Sequence, residues 1–462
     1  MDTKTPLRYA EARRARFVSD LSALVRIPSC SFPGHPVSEV ERSAKAVASY
    51  LAGVGLKNVR VLRLPGVHPY VYGEWLEAKG APTLLLYAHH DVQPVGREKL
   101  WKSPPYVPTV RGGRLYGRGT ADDKAGIVVH GAAIEAWLKT TGRLPLNVKV
   151  LIEGEEEIGS ENLPRFLKKF RKLLSADAMV LTDTGNHDTG LPSVTTSLRG
   201  IVVQDVTVRT ADHPLHSGMW GGPLPDPVMA LTKMLAALTD AEGRLAIPAL
   251  WKDVRKPNAV EAESYASLRY KESEFREQTQ VLGGVSLVGG KSSPLVKMWR
   301  EPAVSVNAIA ASSRQSAANI INESAWARVG IRIVPDMDPK KTVRLLQAHL
   351  KQHAPWGVKV EFAKPQAANW WITNPEHPAF GAAKRALTKG FGREAVYVGC
   401  GGSIGFVEPF SQALGGVPAL LIGVEDPYTN PHSENESLHL GDFQKSVRSS
   451  VLLYDELAKT LG

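Results

Sequence analysis

Four apolar runs in this chain each lead into an acidic or histidine-bearing step, and no other feature restricts the fold as much. Pro82-Thr-Leu-Leu-Leu-Tyr-Ala88 precedes His89-His90-Asp91, Asn147-Val-Lys-Val-Leu-Ile152 precedes Glu153 to Glu157, Ala178-Met-Val-Leu-Thr182 precedes Asp183, and Val417 to Val424 precedes His432. A fifth step, Asp122-Asp123-Lys124, leaves a Gly-rich turn. Near-continuous apolar runs are strands covered on both faces. Helical patterns over about 124 to 139 and 161 to 174 alternate with them, which predicts an α/β fold with a parallel or mixed sheet flanked by helices. In such sheets functional groups gather beyond the carboxyl ends of the strands. Residues distant in sequence would then share one rim rich in oxygen and imidazole donors.

After Leu198-Arg199-Gly200 the pattern changes to half-exposed alternation. Strands about Val202 to Arg209, Ala303 to Ile309, Ala325 to Val334 and Val358 to Phe362, with helices from Pro227 and Pro339, give the order β-α-β-β-α-β of a ferredoxin-like unit. A long polar insertion, about 241 to 300, interrupts it. Beyond Pro365 the α/β character returns. The reading is a catalytic domain of residues 1–199 and 367–462, with 200–366 inserted as a second domain; 462 residues suit two or three domains. No internal repeat or low-complexity tract is present.

The net charge of +10 raises a nucleic-acid reading. The densest basic group, Arg165, Lys168, Lys169, Arg171 and Lys172, alternates with Phe166, Leu167, Phe170, Leu173 and Leu174 at helical spacing, the signature of a solvated helix face. No nucleic-acid partner is expected. No apolar stretch approaches the ~18 residues of a membrane span, and residues 1–16 lack the apolar region of a secretory signal. Two cysteines, Cys30 and Cys400, suit a reducing compartment. A cytoplasmic protein without membrane association is expected.

Two divalent cations ~3.5 to 4 Å apart need terminal ligands on each and one bridging carboxylate. His89, Asp122, Glu157, Asp183 and His432 supply that minimum. Mixed nitrogen and oxygen donors favour Zn²⁺, with Mn²⁺ or Co²⁺ as alternatives. Asp91 stands two residues beyond His89, on the same side of an extended segment, where its carboxylate can hold the second imidazole nitrogen. His90 points the other way and is read as a packed or solvent-facing histidine. Glu156 and Glu157 diverge, so one can bind metal while the other acts as a general base on a water. Glu153, Glu155 and Glu161 are read as solvated loop acids.

Together Ala88-His-His-Asp-Val-Gln-Pro94, Leu115 to Lys124, Glu153-Gly-Glu-Glu-Glu-Ile-Gly-Ser160, Leu215-His-Ser-Gly218 and Gly401-Gly-Ser403 resemble the two-metal peptidase family that includes carboxypeptidase G, aminoacylases, acetylornithine deacetylase and the carnosine-type dipeptidases. The resemblance covers essentially the whole chain and is nearest to the dipeptidases. It implies a zinc-exopeptidase-like catalytic domain and a ferredoxin-like lid that also dimerises. It implies that Asp122 bridges the metals, with His89 and Asp183 on one and Glu157 and His432 on the other. Asp91 would orient His89, and Glu156 would be the base. His216 would steady the oxyanion, reaching the site of a partner subunit. Arg332 would receive the substrate carboxylate, with Asn307, Gly402 and Ser403 adding contacts.

Three positions depart from the family pattern. Ala125 stands where Gly is frequent, Asn307-Ala308 replaces a His-Gly or Asn-Gly pair, and Val398-Gly-Cys400 replaces the Arg-Glu that commonly precedes Gly-Gly-Ser in dipeptidases. The expected activity is metal-dependent hydrolysis of dipeptides or short peptides with a free C-terminal carboxylate. The alternative is an N-acyl-amino-acid deacylase using the same metals. A catalytically silent binding protein would lack a ligand or the base, and none is missing.

Overall fold

The computed structural model describes residues Met1 to Gly462 and divides into two compact units. The first comprises Met1–Thr196, Thr373–Val398 and Phe406–Gly462; the second comprises Ser197–Ile372 and Gly399–Gly405.

The first unit is built on a mixed sheet in the order Lys57–Leu62, Tyr70–Trp75, Asn147–Glu153, Thr83–His89, Ala178–Leu181, Ala419–Leu421 and Ser193–Leu198. The four strands in its middle run parallel, and the two strands directly beside them, Tyr70–Trp75 and Ser193–Leu198, are antiparallel to them. From Thr83–His89 the chain crosses through helix Lys124–Thr141 to a neighbour on one side. It then returns through helix Leu163–Leu174 to Ala178–Leu181 on the other. Right-handed crossovers in opposite directions place the two helices on opposite faces. The reversal leaves a crevice at the carboxyl end of Thr83–His89.

Helix Lys124–Thr141 is buried along nearly its whole length because it packs between the sheet and the helices Lys4–Ala12 and Leu440–Leu461. Across the sheet, Tyr70 stacks on Phe166 and Tyr87 packs against Phe406 and Phe410.

The second unit has an antiparallel sheet ordered Ala303–Ala310, Ser324–Ile333, Gly200–Arg209 and Lys359–Phe362. With helices Pro227–Ala236 and Pro339–Gln352 this is the ferredoxin-like order. Burial alternates along Gly200–Arg209, and Val202, Val206, Val208, Val329 and Ile331 pack on Leu231, Met234 and Leu346 of the helices. The opposite sheet face is only half-buried along Gly200–Arg209. Residues 241–300 are more structured than their polarity suggests, with helices Ala259–Ser267, Glu272–Thr279 and Pro294–Arg300 and a buried Arg300–Glu261 ion pair at 2.6 Å.

Helices Pro378–Phe391 and Leu440–Leu461 pack closely, and Gly390 is where they nearly touch. A Cβ there would lie 2.0 Å from Ser449 Oγ and 2.8 Å from its backbone nitrogen. Gly390→Ala is therefore expected to cost about 1–3 kcal/mol of stability, as overpacked cores do. The denaturant midpoint measures this, and an unchanged midpoint would show that the two helices can separate freely.

Candidate metal centre

The parallel strands of the first unit deliver the clustered side chains to one rim. His89 ends its strand, and Glu156 and Glu157 occupy a short turn after Asn147–Glu153. Asp183 follows Ala178–Leu181, and His432 lies in the loop after Ala419–Leu421. That loop turns sharply, with Asn430, His432 and Asn435 all at positive φ (54°, 60° and 62°). Asp122 and Asp123 precede helix Lys124–Thr141 and are joined by a cis peptide bond.

The five residues expected as ligands fall into two groups that share one member: His89, Asp122 and Asp183, and Asp122, Glu157 and His432. Within each group the donor atoms lie within 4.8 Å of one another. Asp122 Oδ1 is 3.0 Å from His89 Nε2. Its Oδ2 is 3.0 Å from His432 Nε2, which is itself 3.2 Å from Glu157 Oε2. Glu156 Oε2 stands 4.0 Å from His89 Nε2 and lies outside both groups.

Asp91 does more than sequence reasoning gave it. Its Oδ1 is 3.4 Å from His89 Nδ1, and its carboxylate accepts the backbone N–H groups of Glu156 (3.2 Å) and Glu157 (3.0 Å) and the Ser31 hydroxyl (2.7 Å). One buried carboxylate thus orients the histidine and fixes the turn that carries both glutamates. Gln93 also donates to both Glu157 carboxylate oxygens, from its backbone N–H at 3.1 Å and its amide at 2.7 Å.

Two acids need correction. Glu153 and Glu155 are not solvated loop residues but buried ones. Glu153 accepts hydrogen bonds from Tyr70 (2.9 Å) and Tyr87 (2.6 Å), and Glu155 accepts one from Asn162 (3.3 Å). Tyr70 and Tyr87 come from distant strands, so the acidic run looks solvent-facing only when read locally. His90 is packed, its Nε2 3.0 Å from the Pro69 carbonyl.

Two further carboxylates escaped the sequence reading. Glu436 is buried and accepts hydrogen bonds from Arg118 (2.8 Å) and from the backbone of Gly119 (2.9 Å), Ala121 (3.0 Å) and Asp122 (3.2 Å), which sets the approach to Asp122. Glu425 directly follows the apolar run ending at Val424 and bears electrostatically on Asp122 and Asp183. Its position at a run's exit was the available signal; Glu436 carried none, because its partners are Arg118 and loop backbone far away in sequence.

The rim holds more negative charge than the protein neutralises. Burial and then the charge of Asp122 push Glu157 up to about 7. Burial, with Asp122, raises Asp183 to about 6 although His89 opposes it. Burial and Asp183 raise Glu156, and burial followed by Asp122 raises Glu425. Asp123 retains a buried Oδ1 with no hydrogen-bond partner. Crowded carboxylates of this kind call for cations. A pair of triads joined by one carboxylate, with an imidazole in each, fits two divalent ions.

In the second unit, His216 caps a short helix, its Nδ1 accepting from the N–H groups of Gly218 (3.1 Å) and Met219 (3.2 Å). That makes Nε2 the proton-bearing nitrogen of the neutral ring, and the residue is exposed. Arg332 donates to Ser403 Oγ at 2.7 Å. Asn307 is exposed beside Gly330, where a Cβ would come within 2.6 Å of its Oδ1. Gly402 donates its backbone N–H to Cys400 Sγ at 3.3 Å.

A family model, peptidase family M20/M25/M40, matches residues 85–456. The cysteinylglycine-S-conjugate dipeptidase of Corynebacterium striatum is 32% identical over 92% of each chain. The Cys-Gly metallodipeptidase of Schizosaccharomyces pombe is 30% identical over 97% of each. The crystal structure of human carnosine dipeptidase 1 superposes with a TM-score of 0.86 at 26% identity, covering 99% of both chains.

If Asp122 serves both cation positions, metal ions should stabilise the metal-free protein through it. Zn²⁺ or Mn²⁺ at about a hundred times its dissociation constant should add ~2.7 kcal/mol per site, seen as a higher melting temperature. In Asp122→Asn most of that rise should vanish; an equal rise would mean that the ions bind elsewhere.

Proposed function

The chain belongs to peptidase family M20/M25/M40, and on that footing we propose that its two joined triads hold a pair of divalent cations, with Zn²⁺ the ion best suited to the donors. The reaction is metal-dependent hydrolysis of dipeptides. The observation that carries the reading is the sharing of Asp122 between two ligand groups within reach of Glu156. His89 and Asp183 would hold one ion, Glu157 and His432 the other, and Asp122 would serve both. When bound, the ions supply Lewis acidity, polarising the scissile carbonyl and making a water acidic near neutral pH.

The remaining steps fall to side chains. Glu156, partly open and outside both ligand groups, removes the proton from the attacking water and returns it to the leaving amine. Asp91 is a positioning residue, because it holds His89 and the Glu156-Glu157 backbone in one arrangement. Arg332 receives the substrate's free carboxylate through a fork suited to that group, with Ser403 steadying the guanidinium. His216 offers its Nε2–H to the developing oxyanion. Asn307 and Gly402 complete the polar contacts.

We propose that His216 acts in a partner's site, in a homodimer formed through the second unit. The strand Ala303–Ala310 is a sheet edge exposing Val306 and Ile309, and the exposed Met219 and Trp220 follow His216. The compartment proposed is the cytoplasm, in keeping with two cysteines that form no disulfide.

Glu156→Gln should leave metal content near wild type and lower kcat by roughly 10²- to 10⁴-fold, the range for lost acid–base catalysis. Loss of metal with activity would make Glu156 a ligand. On a panel of Ala-Ala, β-Ala-His, an amidated dipeptide and N-acetyl amino acids, free dipeptides should be cleaved and amidation should abolish turnover. Preference for N-acetyl substrates would instead identify a deacylase.

A further inference from the structure

Two arginines of the second unit flank the loop Gly399–Gly405, and the chain gives neither a carboxylate. Arg199 donates from Nε to the Gly401 carbonyl at 3.0 Å and from its backbone N–H to the Cys400 carbonyl at 3.2 Å. Its guanidinium lies so close to the loop that a Cβ on Gly401 would be 2.9 Å from Nη2. Arg332 donates to Ser403, two residues further on, at 2.7 Å. Arg332 pairs in the sheet with Ile201, and Arg199 stands two residues before Ile201.

Three other inward-facing arginines of this protein have acids: Arg300 has Glu261, Arg118 has Glu436 and Arg114 has Asp426. Arg199 and Arg332 have no such ion pair. The ionisable groups bearing on Arg199 are Arg332 and Cys400, and burial together with Arg332 pushes it down to about 10. Cys400 bears electrostatically on Arg332 as well. Half-buried like charges held together without an acid favour an anion from outside the chain.

We propose that Arg199 is a specificity-determining residue that, beside Arg332, selects dipeptides whose C-terminal residue is aspartate or glutamate. Arg332 takes the α-carboxylate, and Arg199 takes the side-chain carboxylate that an ordinary dipeptide lacks. The inference rests on the dipeptidase reading, in which Arg332 already binds one carboxylate. A single carboxylate leaves one guanidinium uncompensated; a second completes both pairs through charge-assisted hydrogen bonds.

The test compares charged and neutral isosteres on the metal-loaded, full-length protein: Ala-Glu against Ala-Gln and Ala-Asp against Ala-Asn, with Ala-Ala as reference. The expected kcat/KM ratio, acid over amide, is at least about tenfold for the better pair, the worth of one charge-assisted contact. In Arg199→Gln the ratio should fall towards one. In Cys400→Glu, which gives Arg199 an internal carboxylate, it should fall likewise. The wild-type ratio involves no substitution, so a variant that fails to fold leaves the test intact. Turnover of Ala-Ala with ratios near one in the wild type overturns the role of Arg199 and leaves the dipeptidase reading standing. Turnover of none of the peptides overturns that reading and this inference with it.

Discussion

The crowding of carboxylates at the ends of parallel strands is the constraint on which the rest of the first unit depends. Like charges in a partly buried rim repel one another and lose hydration, so each must be held by something. Asp91 takes backbone amides and a hydroxyl, Glu436 takes Arg118 and a row of loop amides, and Asp123 takes the Thr182 hydroxyl at 2.8 Å. These acids are the scaffold. Asp122 meets His89 and His432, and Glu157 meets Gln93 and His432; with Asp183 these residues form the two groups that could hold a metal ion. The division between holding and held acids follows from which carboxylates the backbone already satisfies.

The sheet's winding explains why these residues meet at all. His89 stands where the chain order reverses, between Asn147–Glu153 and Ala178–Leu181. Every crossover then brings its exit loop to the same crevice. The Glu156-Glu157 turn is pinned to the neighbouring strand's exit through Asp91, so two glutamates that follow one strand are registered against a histidine on the next. A shift of either exit would alter both distances together. That coupling holds Glu156 beside His89, 4.0 Å away, and outside both groups of clustered donors.

Much of this was legible in the sequence, and the reason is specific. A strand covered on both faces must be a continuous apolar run, so Leu84 to Ala88 and Val148 to Ile152 declare themselves and mark the polar residues that follow. Strands outside the parallel centre hide. Lys57–Leu62 lies at a sheet edge and is mostly exposed, and Ser193–Leu198 is fully buried yet rich in hydroxyls. There Thr196 gives its hydroxyl to the Val398 carbonyl at 3.2 Å. Glu153 misled for the complementary reason: an acid looks solvated until Tyr70 and Tyr87 arrive from other strands. Local patterns report burial by apolar neighbours well and burial by polar partners poorly.

The second unit shows the same logic turned towards recognition. Its helices cover one face of the sheet, and the alternation along Gly200–Arg209 leaves the other face to polar and half-exposed groups. Arg328 on that open face is compensated by Asp205 at 2.7 Å, whereas Arg332, four residues along the same strand, has only a serine hydroxyl. Two arginines with the same strand geometry therefore differ in what the chain has provided for them. Where an acid is supplied, the charge stabilises the fold; where it is withheld, the charge remains available to a ligand. Gly330 between them leaves room for Asn307 across the strand, and the hydroxyl beside Arg332 can accompany an anion without neutralising the guanidinium beforehand.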